Sequence, residues 1–428
     1  MKNLLPFRVK QGVSTVGIMA AALSVSIPAF AGWEQFMSLP CTYAHFITSE
    51  GVHLVSDLQD EQDGGITYSV DNGQTWVKSE VRDFWFSNFH EVDGYIFATA
   101  GACRVARSED GGRTWDILNY SKTVEPFIDP KALDSTSCYA ITSLDGVLYI
   151  GDFCGGGILR SKDYGETWES TDRESLLINV GLPELVMDSF YNLTAFNGKI
   201  YCFGLYSVHS LDVTNGKETW DVEPINSNFM SSVTVMGDML IGGRSLMNYG
   251  TDIEYLVCFD GTEWGELPRP DTDDNNVRAI LADGDLLLTA HHGGPIYVSD
   301  NLGQDWHMTE GLPPSTFPLS MVSDEDYVYA AIYSPITTNT ASGVWRISKS
   351  ELATAGLSDA TIDSGVRIEK GVLYTGEAAE SIELFNISGQ RVAGAVRADS
   401  LTLSGLPSGI YVYVVRNGQT TKTGKCVI

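Results

Sequence analysis

The sequence predicts an all-β fold for this chain of 428 residues, and three observations carry the prediction. An eight-residue motif of the form Ser-x-Asp-x-Gly-x-Thr-Trp recurs along the chain. The tryptophans at positions 33, 76, 115, 168, 220, 264 and 306 lie 39 to 53 residues apart. The intervals also contain a second turn with glycine, followed by a short apolar strand. Intervals of this length, filled with short strands, are typical of the blades of a β-propeller.

The recurring motif is predicted to be a tight turn between two strands, and we call it the repeat turn. In the copy Ser161–Trp168, the Asp163 carboxylate would accept hydrogen bonds from turn amides and Gly165 would supply an unusual backbone conformation. The motif is therefore interpreted as structural and not as a reaction centre. The motif residues of the four copies are Ser69, Asp71, Gly73, Trp76, Ser108, Asp110, Gly112, Trp115, Ser161, Asp163, Gly165, Trp168, Ser299, Asn301, Gly303 and Trp306.

The repeats predict seven blades, closed into a ring by the two ends of the repeat region. A seventh unit begins near Leu319 and stops one strand short, after residues 343–348. Trp33 begins a strand that has no unit of its own. That N-terminal strand is expected to dock into the last blade, so that no sheet edge stays open. The predicted propeller spans residues 32–356.

The repeat turns resemble the Asp boxes, or BNR repeats, of sialidases, xyloglucanases, sortilin-like receptors and a family of photosystem-assembly factors. The resemblance covers roughly residues 32–350 and implies a seven-bladed β-propeller with Asp-box turns. It implies little about activity, because one propeller scaffold hosts many unrelated sites. Sialidases bind a substrate carboxylate with three arginines, the first in an Arg-Ile-Pro-like segment early in the propeller. The first arginine after residue 31 is Arg82 and no such segment is present, which disfavours sialidase activity.

The N-terminal segment, residues 1–31, is predicted to be a removed signal peptide. It carries three basic residues, then an apolar run from about Val13 to Ile27, then the small-x-small sequence Ala29-Phe30-Ala31. A membrane anchor is the alternative, but the apolar run is short and is interrupted by Ser and Pro. The mature chain is therefore expected to have no transmembrane segment.

The C-terminal segment, residues 357–428, is predicted to form a small β-sandwich-like domain, because apolar and polar residues alternate along it. The runs Gly389-Gln390-Arg391-Val392 and Leu406-Pro407-Ser408-Gly409-Ile410-Tyr411 resemble the C-terminal sorting domain of type IX secretion cargo. The resemblance implies transport across an outer membrane by the type IX machinery, followed by release or attachment at the cell surface. The alternative is a fibronectin-like accessory domain.

Composition excludes some classes of partner. The formal net charge of −28 becomes −31 when the three basic residues of the leader are removed, because the leader has no acidic residue. Such acidity disfavours nucleic acid and anionic substrates. The seven cysteines show no CxxC spacing, so neither a zinc site nor a cofactor is predicted. An odd number of cysteines leaves at least one unpaired within the chain, and Cys103 and Cys154 are a candidate disulfide pair.

Strand direction predicts which end of the propeller is functional. In a four-stranded blade, the repeat turns and the turns between the first and second strands share one end, here called the turn face. The longer loops and the links between blades lie at the opposite end, which we call the loop face. The candidate ligand-binding residues there are Trp85, Arg104, Tyr206, Arg244, Tyr249, His292 and Tyr333. The candidate catalytic residues are Asp57, Asp63, Asp152 and His291.

Each candidate has a structural alternative. The acidic run 57–64 could hold calcium, but its spacing misses the EF-hand pattern and favours a solvated loop. His291 and His292 are adjacent, so on a strand they would point to opposite faces and could not easily share one metal ion. Aromatic residues such as Trp85 and Tyr249 could stack on sugar rings or simply anchor loops.

The leading hypothesis is a secreted or cell-surface propeller that binds an extracellular glycan or a surface protein through the loop face. The second is a glycoside hydrolase of Asp-box type with two carboxylates, although their pairing does not follow from sequence spacing. The third is a non-catalytic role in surface assembly. The sequence leaves the question of catalysis open and favours a non-enzyme; if the chain is an enzyme, a glycosidase is expected.

Overall fold

The computed structural model describes residues 32–427 with the exception of short segments. The segments outside the description are 58–63, 83–85, 101–103, 120–137, 153–156, 182, 215–217, 227–228, 246–255, 273–275, 335–340, 353–365, 370–371, 387–390, 407–409 and 419. Among the described residues, no helix has the length and apolar character needed to cross a membrane.

The described residues form seven four-stranded antiparallel sheets, which confirms the predicted all-β fold and agrees with the predicted number of blades. β1 (Glu34–Ser38) belongs to the last blade. Blades 1 to 3 are β2 (Thr42–Ile47), β3 (His53–Asp57), β4 (Gly65–Ser69) and β5 (Val77–Arg82); β6 (Phe86–Val92), β7 (Tyr95–Ala100), β8 (Arg104–Ser108) and β9 (Asp116–Asn119); and β10 (Cys138–Leu144), β11 (Val147–Asp152), β12 (Gly157–Ser161) and β13 (Glu169–Ser170). A small two-stranded sheet, β14 (Leu177–Ile178) and β15 (Val186–Met187), follows.

The remaining blades have the same strand order. Blades 4 to 6 are β16 (Phe190–Phe196), β17 (Lys199–Gly204), β18 (Ser207–Asp212) and β19 (Asp221–Asn226); β20 (Met230–Met236), β21 (Met239–Arg244), β22 (Leu256–Phe259) and β23 (Trp264–Glu266); and β24 (Val277–Asp283), β25 (Leu286–His291), β26 (Ile296–Ser299) and β27 (His307–Met308). Blade 7 is β28 (Phe317–Ser323), β29 (Tyr327–Tyr333) and β30 (Gly343–Ser348), completed by β1.

The first strands of the seven blades pack side by side in a closed ring, in the order β2, β6, β10, β16, β20, β24, β28 and back to β2. β1 pairs antiparallel with β30, so a strand from the beginning of the propeller completes the last blade. Glu34 and Arg346 form an ion pair across this junction at 2.7 Å, and the Arg346 guanidinium lies over the rings of Phe36 and Tyr327. Closure therefore combines a strand ladder with a cation packed between two aromatic rings.

Side-chain hydroxyl groups join neighbouring first strands where no strand ladder does. The His45 amide donates to Ser320 Oγ at 3.1 Å, which links blades 1 and 7. The Ile280 amide donates to Ser232 Oγ at 2.9 Å, which links blades 5 and 6. Ser87 Oγ donates to the Cys138 carbonyl between blades 2 and 3. The serine hydroxyls on the first strands thus form hydrogen bonds with backbone amides and carbonyls that have no partner strand on that side.

The repeat turns share one hydrogen-bond network. In the copy Ser161–Trp168, Asp163 accepts from the amide of Thr167 at 2.8 Å and from its hydroxyl, and Ser161 Oγ accepts from the Gly165 amide. Gly165 has φ +89°. In the copy Ser299–Trp306, Asn301 stands in place of the Asp and Asp305 in place of the Thr. The side-chain hydrogen bond is therefore reversed, and Asn301 Nδ2 donates to Asp305 Oδ2 at 3.0 Å. In each copy, the side chain of the Asp or Asn fixes the turn by hydrogen bonds to the residue four positions later.

The C-terminal segment forms a separate sheet. Its strands are β31 (Arg367–Glu369), β32 (Val372–Asn386), β33 (Arg391–Thr402), β34 (Ile410–Asn417) and β35 (Thr420–Val427). The long strand β32 pairs with β31, β33 and β34, and β34 pairs with β35. Buried Leu373, Ile382 and Leu384 belong to its own hydrophobic core. This segment therefore has a sheet and a core of its own.

Candidate functional site

A cavity of about 480 Å³ lies at the centre of the ring. All seven first strands, or the residue just before them, contribute to its wall. The wall combines aromatic rings, aliphatic side chains and short polar side chains, a mixture that is common in small-molecule sites of this size. The cavity is therefore the natural candidate for a binding site on this scaffold.

A β-bulge near the start of every first strand shapes this wall. In blade 2, for example, Phe86 pairs with Ala100 and Asn88 with Thr99, so Ser87 is left out of the register. We call the omitted residues, two in blade 1 and one in each of the other six blades, the bulge ring. Its members are Tyr43 with Ala44, Ser87, Tyr139, Tyr191, Ser231, Arg278 and Leu319.

The bulge ring lies at the loop face, because each first strand begins there and runs towards the turn face. A bulge redirects a side chain and releases it from the strand ladder, and bulges are common beside active sites. Here the bulge residues of blades 1, 2, 3, 4, 6 and 7 contribute to the described cavity wall. The loop-face mouth of the channel is thus lined by side chains that the ladder does not constrain.

Three aromatic residues form a continuous strip on this wall. The Tyr139 and Tyr191 ring centroids are 6.1 Å apart at 32°, and the Tyr191 and Phe229 centroids are 4.4 Å apart at 79°. Phe229 has φ +57°, a conformation that costs a bulky L-residue roughly 1–3 kcal/mol. Its amide donates to the Leu205 carbonyl at 3.0 Å, which holds it there. Such strain is concentrated at functional sites.

Arg278 supplies the charge of the cavity wall. Among the described lining residues it is the one Arg or Lys, and none is Asp or Glu, although the chain has 55 acidic residues. Its Nε atom is buried and has no hydrogen-bond partner within the described part of the chain. Burial raises the pKa of Tyr43 to about 12, Tyr139 adds to the shift and Arg278 opposes it. Tyr43 is therefore a neutral phenol near a cation at neutral pH.

Two buried histidines lie at the junction of blades 1 and 7, and one of them, His45, also contributes to the cavity wall. His45 Nε2 is 3.1 Å from His53 Nδ1, and the two rings stack with centroids 5.3 Å apart. Both rings also meet Tyr329 edge-on, and Tyr329 donates to Asp324. Burial, together with the neighbouring His53, holds the pKa of His45 well below its usual value. One proton between the two facing nitrogens lets one neutral ring donate to the other, whereas His45 Nδ1 is buried without a hydrogen-bond partner among the described residues.

Acid is expected to destabilise this junction. The pKa of His45 is lowered in the folded protein, so its stabilisation is complete above the unfolded value near 6.5 and is lost as pH falls below it. The free energy of unfolding should fall by about 1–2 kcal/mol for this histidine between pH 6.5 and 5. Urea unfolding across that range should show a flatter pH dependence for His45→Gln. An unchanged slope for His45→Gln contradicts the prediction.

Asp57 and His291, the two candidate catalytic residues whose side chains are described, are not brought together. Asp57 ends β3 with a fully buried side chain, and its carboxylate lies 3.8 Å from the Arg82 guanidinium, so the expectation of a loop carboxylate is wrong. His291 is also fully buried, 3.1 Å from Thr289 Oγ1 and edge-on to Tyr297. Both residues end strands that are buried on both faces, where a polar side chain needs a partner. Neither therefore faces the central cavity as a free acid or base.

Two candidate binding residues do lie together. His292 and Tyr333 each contact Phe317, with ring centroids at 4.6 and 6.2 Å, and form a small aromatic cluster between blades 6 and 7. Tyr206 is exposed, and its amide donates to the buried Asp188 carboxylate. Arg244 is buried at the end of β21, and Arg104 is half-buried at the beginning of β8. None of these five lines the cavity, so they surround the loop face and do not form one site.

Other predictions fall outside the described residues. These are Asp63, Trp85, Tyr249, the pair Cys103 and Cys154, and most of the acidic run 57–64. The backbone of Asp152 ends β11, but its side chain is outside the description.

The residues of the bulge ring are absent from the sequence-based candidates. The available signal, present in six of the seven first strands, was a polar or aromatic residue directly after the buried residue that opens the strand, as in Phe190-Tyr191 and Val277-Arg278. The alternation of apolar and polar residues along a strand assigns each position to one face of the sheet, but it does not show where a bulge occurs. The cavity wall therefore became visible only with the strand register.

Comparison with known proteins supports the fold and the route of export. Residues 363–428 match the family described as secretion system C-terminal sorting domain. No curated protein sequence matches. YCF48 bound to D1 peptide is similar at 15% identity and TM-score 0.52, covering 76% of this chain and 99% of that one. The Neurospora crassa Pan2 WD40 domain is similar at 10% identity and TM-score 0.50, covering 75% and 97%.

A third similar structure is the extracellular domain of a hybrid two-component system of B. thetaiotaomicron, at 11% identity and TM-score 0.50. It covers 92% of this chain, which spans 56% of that one. At these identities the likeness shows a propeller fold alone. The sorting domain shows more, because such a tail is recognised by the secretion machinery. The chain is therefore exported by type IX secretion to the cell surface or the extracellular space.

Proposed function

We propose that this exported propeller binds a glycan or a protein ligand at the loop-face mouth of its central channel. The observation that carries the proposal is the bulge ring, which places Tyr139, Tyr191 and Arg278 on the wall of one cavity. Aromatic rings provide stacking area at low entropic cost, and a single cation provides orientation. We also propose that the repeat turns are Asp boxes, on the basis of their Ser, Asp and Thr network.

Binding is favoured over hydrolysis by the chemistry of the wall. Glycosidases with the usual mechanism need two carboxyl groups on either side of the scissile bond. The described residues of the cavity wall include no carboxylate, and Asp57 is held by Arg82. A related observation is that YCF48, a propeller of similar fold, has been solved with a bound peptide. A glycoside hydrolase remains the second candidate, and an assembly role the third.

The test is retention of ligands from glycan and protein arrays by the mature chain, with release of reducing sugar scored in parallel. Tyr191→Ala should weaken binding of any retained ligand about tenfold or more, because a central aromatic contact is lost. Tyr164→Ala on the turn face is the matched control and should bind as the wild type does.

Three outcomes contradict the proposal. Equal losses for the two tyrosine variants place the ligand elsewhere. Release of reducing sugar by the folded protein, but not by a denatured sample, makes the chain a hydrolase. Failure of every glycan and protein to bind favours the assembly role.

A further inference from the structure

We propose that the ligand of the channel mouth is an acidic glycan whose carboxylate binds Arg278 while its sugar rings stack on the strip of Tyr139, Tyr191 and Phe229. This inference rests on the proposed function and specifies its ligand class. The shared chemistry is a carboxylate held beside the flat, partly apolar face of a sugar ring, as in a uronic acid.

The local charge selects an anion in spite of the acidity of the whole chain. The formal net charge is −28, yet the described wall carries one arginine and no acidic residue. Charges elsewhere on the surface are screened within about 8 Å at physiological salt, whereas a partly buried contact is screened much less. Arg278 is half-buried and lines the cavity, so its guanidinium would pair with a carboxylate bound there.

The aromatic strip supplies the second half of the recognition. It extends across blades 3, 4 and 5, whereas Arg278 lies on blade 6, directly beside blade 5. A ligand that contacts both the aromatic strip and Arg278 must carry a flat apolar face close to a negative charge. The positive φ of Phe229 shows that the chain maintains this ring position against its backbone preference.

A peptide is the less suitable occupant, because the edges of the first strands are already in use. Extended peptides gain much of their affinity by adding a strand to an open edge. Here the edge amides of His45, Ile280 and Ala282 donate to hydroxyl groups of the neighbouring blade. The bulges further interrupt any continuous template. Stacking and a single charge contact remain, and these suit a sugar.

The test is calorimetric titration of the mature chain with three trisaccharide probes. These are galacturonic acid trimer, its fully methyl-esterified form, and a neutral galactose trimer. The acid should bind at least tenfold more tightly than its ester, which has the same rings without the charge, since a charged hydrogen bond is worth a tenfold or greater factor. Its affinity should fall with added salt, whereas that of the ester should not.

Variants locate the effect. Arg278→Gln should bind acid and ester equally, and Arg278→Lys should recover part of the preference. Arg113→Gln, which removes an exposed arginine from the turn face, should behave as the wild type. Circular dichroism and the unfolding midpoint check that each variant is folded.

The outcomes separate this inference from the proposed function. Equal binding of acid and ester by the wild type overturns the inference and leaves glycan binding intact. A preference that survives in Arg278→Gln overturns the assignment of the arginine. Retention of proteins from the array, together with binding of no trisaccharide, identifies a protein ligand and overturns the glycan. Failure of all probes and of the array ligands overturns both proposals.

Discussion

Replacing Trp33 by alanine is expected to lower the free energy of unfolding by about 3–5 kcal/mol, the usual cost of truncating a buried tryptophan. Trp33 is 4% exposed and packs in the core of blades 6 and 7. Its Nε1 donates to Thr309 Oγ1 at 2.8 Å, and its amide donates to the Glu310 carbonyl. It is thus the anchor of the strand that closes the ring. Urea unfolding measures the loss, and amide hydrogen exchange locates it.

Trp220→Ala is the matched control, because Trp220 is equally buried and donates to Thr171 in the same way. A similar loss of unfolding free energy is expected there. Only Trp33→Ala should accelerate exchange along β1 and β30, since β19 is tethered at both ends whereas β1 begins the ring. A loss below about 1 kcal/mol, or protection of β1 as in the wild type, contradicts the role assigned to Trp33.

Gly343→Ala is expected to cost at least about 3 kcal/mol, because strained backbone and steric overlap combine. Gly343 begins β30 with φ +134°, a conformation open to glycine but not to alanine. A Cβ atom there would lie 1.9 Å from the Met37 carbonyl oxygen of β1. The two paired strands would have to separate. Urea unfolding and limited proteolysis of β1 measure the effect.

Gly51→Ala separates the two causes. Gly51 has φ +78°, but a Cβ atom there meets nothing within 4 Å. Its substitution should therefore cost only the backbone term, about 1 kcal/mol. If Gly343→Ala costs no more than Gly51→Ala, the close approach of β1 to β30 is not a constraint.

The fold could be inferred from sequence because its signals are local and repeated. Four copies of the repeat turn and a regular series of tryptophans each specify a strand junction, and their agreement is stronger than any one of them. The unpaired Trp33 and the incomplete seventh unit together specify the closing strand. The C-terminal segment could also be predicted, because its alternation of apolar and polar residues and its sorting-domain motifs lie within short segments.

The cavity wall could not be inferred, because it depends on register. Ser87, Tyr191 and Arg278 are unremarkable residues in their own strands, and only the bulge and the ring geometry bring them to one cavity. The same limit explains the wrong expectation for Asp57, which reads as part of an acidic loop but ends a buried strand beside Arg82. The net charge of −28 also failed to predict the charge of the cavity wall, because the described wall has one arginine and no acidic residue.

The closing strand also determines when the propeller can be completed during synthesis. Glu34 lies 312 positions before its partner Arg346, so the ribosome must finish nearly the whole propeller before the two can meet. Contacts of such long separation form late, because loop closure costs chain entropy before any contact repays it. Until then β30 presents an open edge, which invites pairing with other chains. The interval between synthesis of β30 and docking of β1 is accordingly the step at which the nascent protein is most exposed to aggregation.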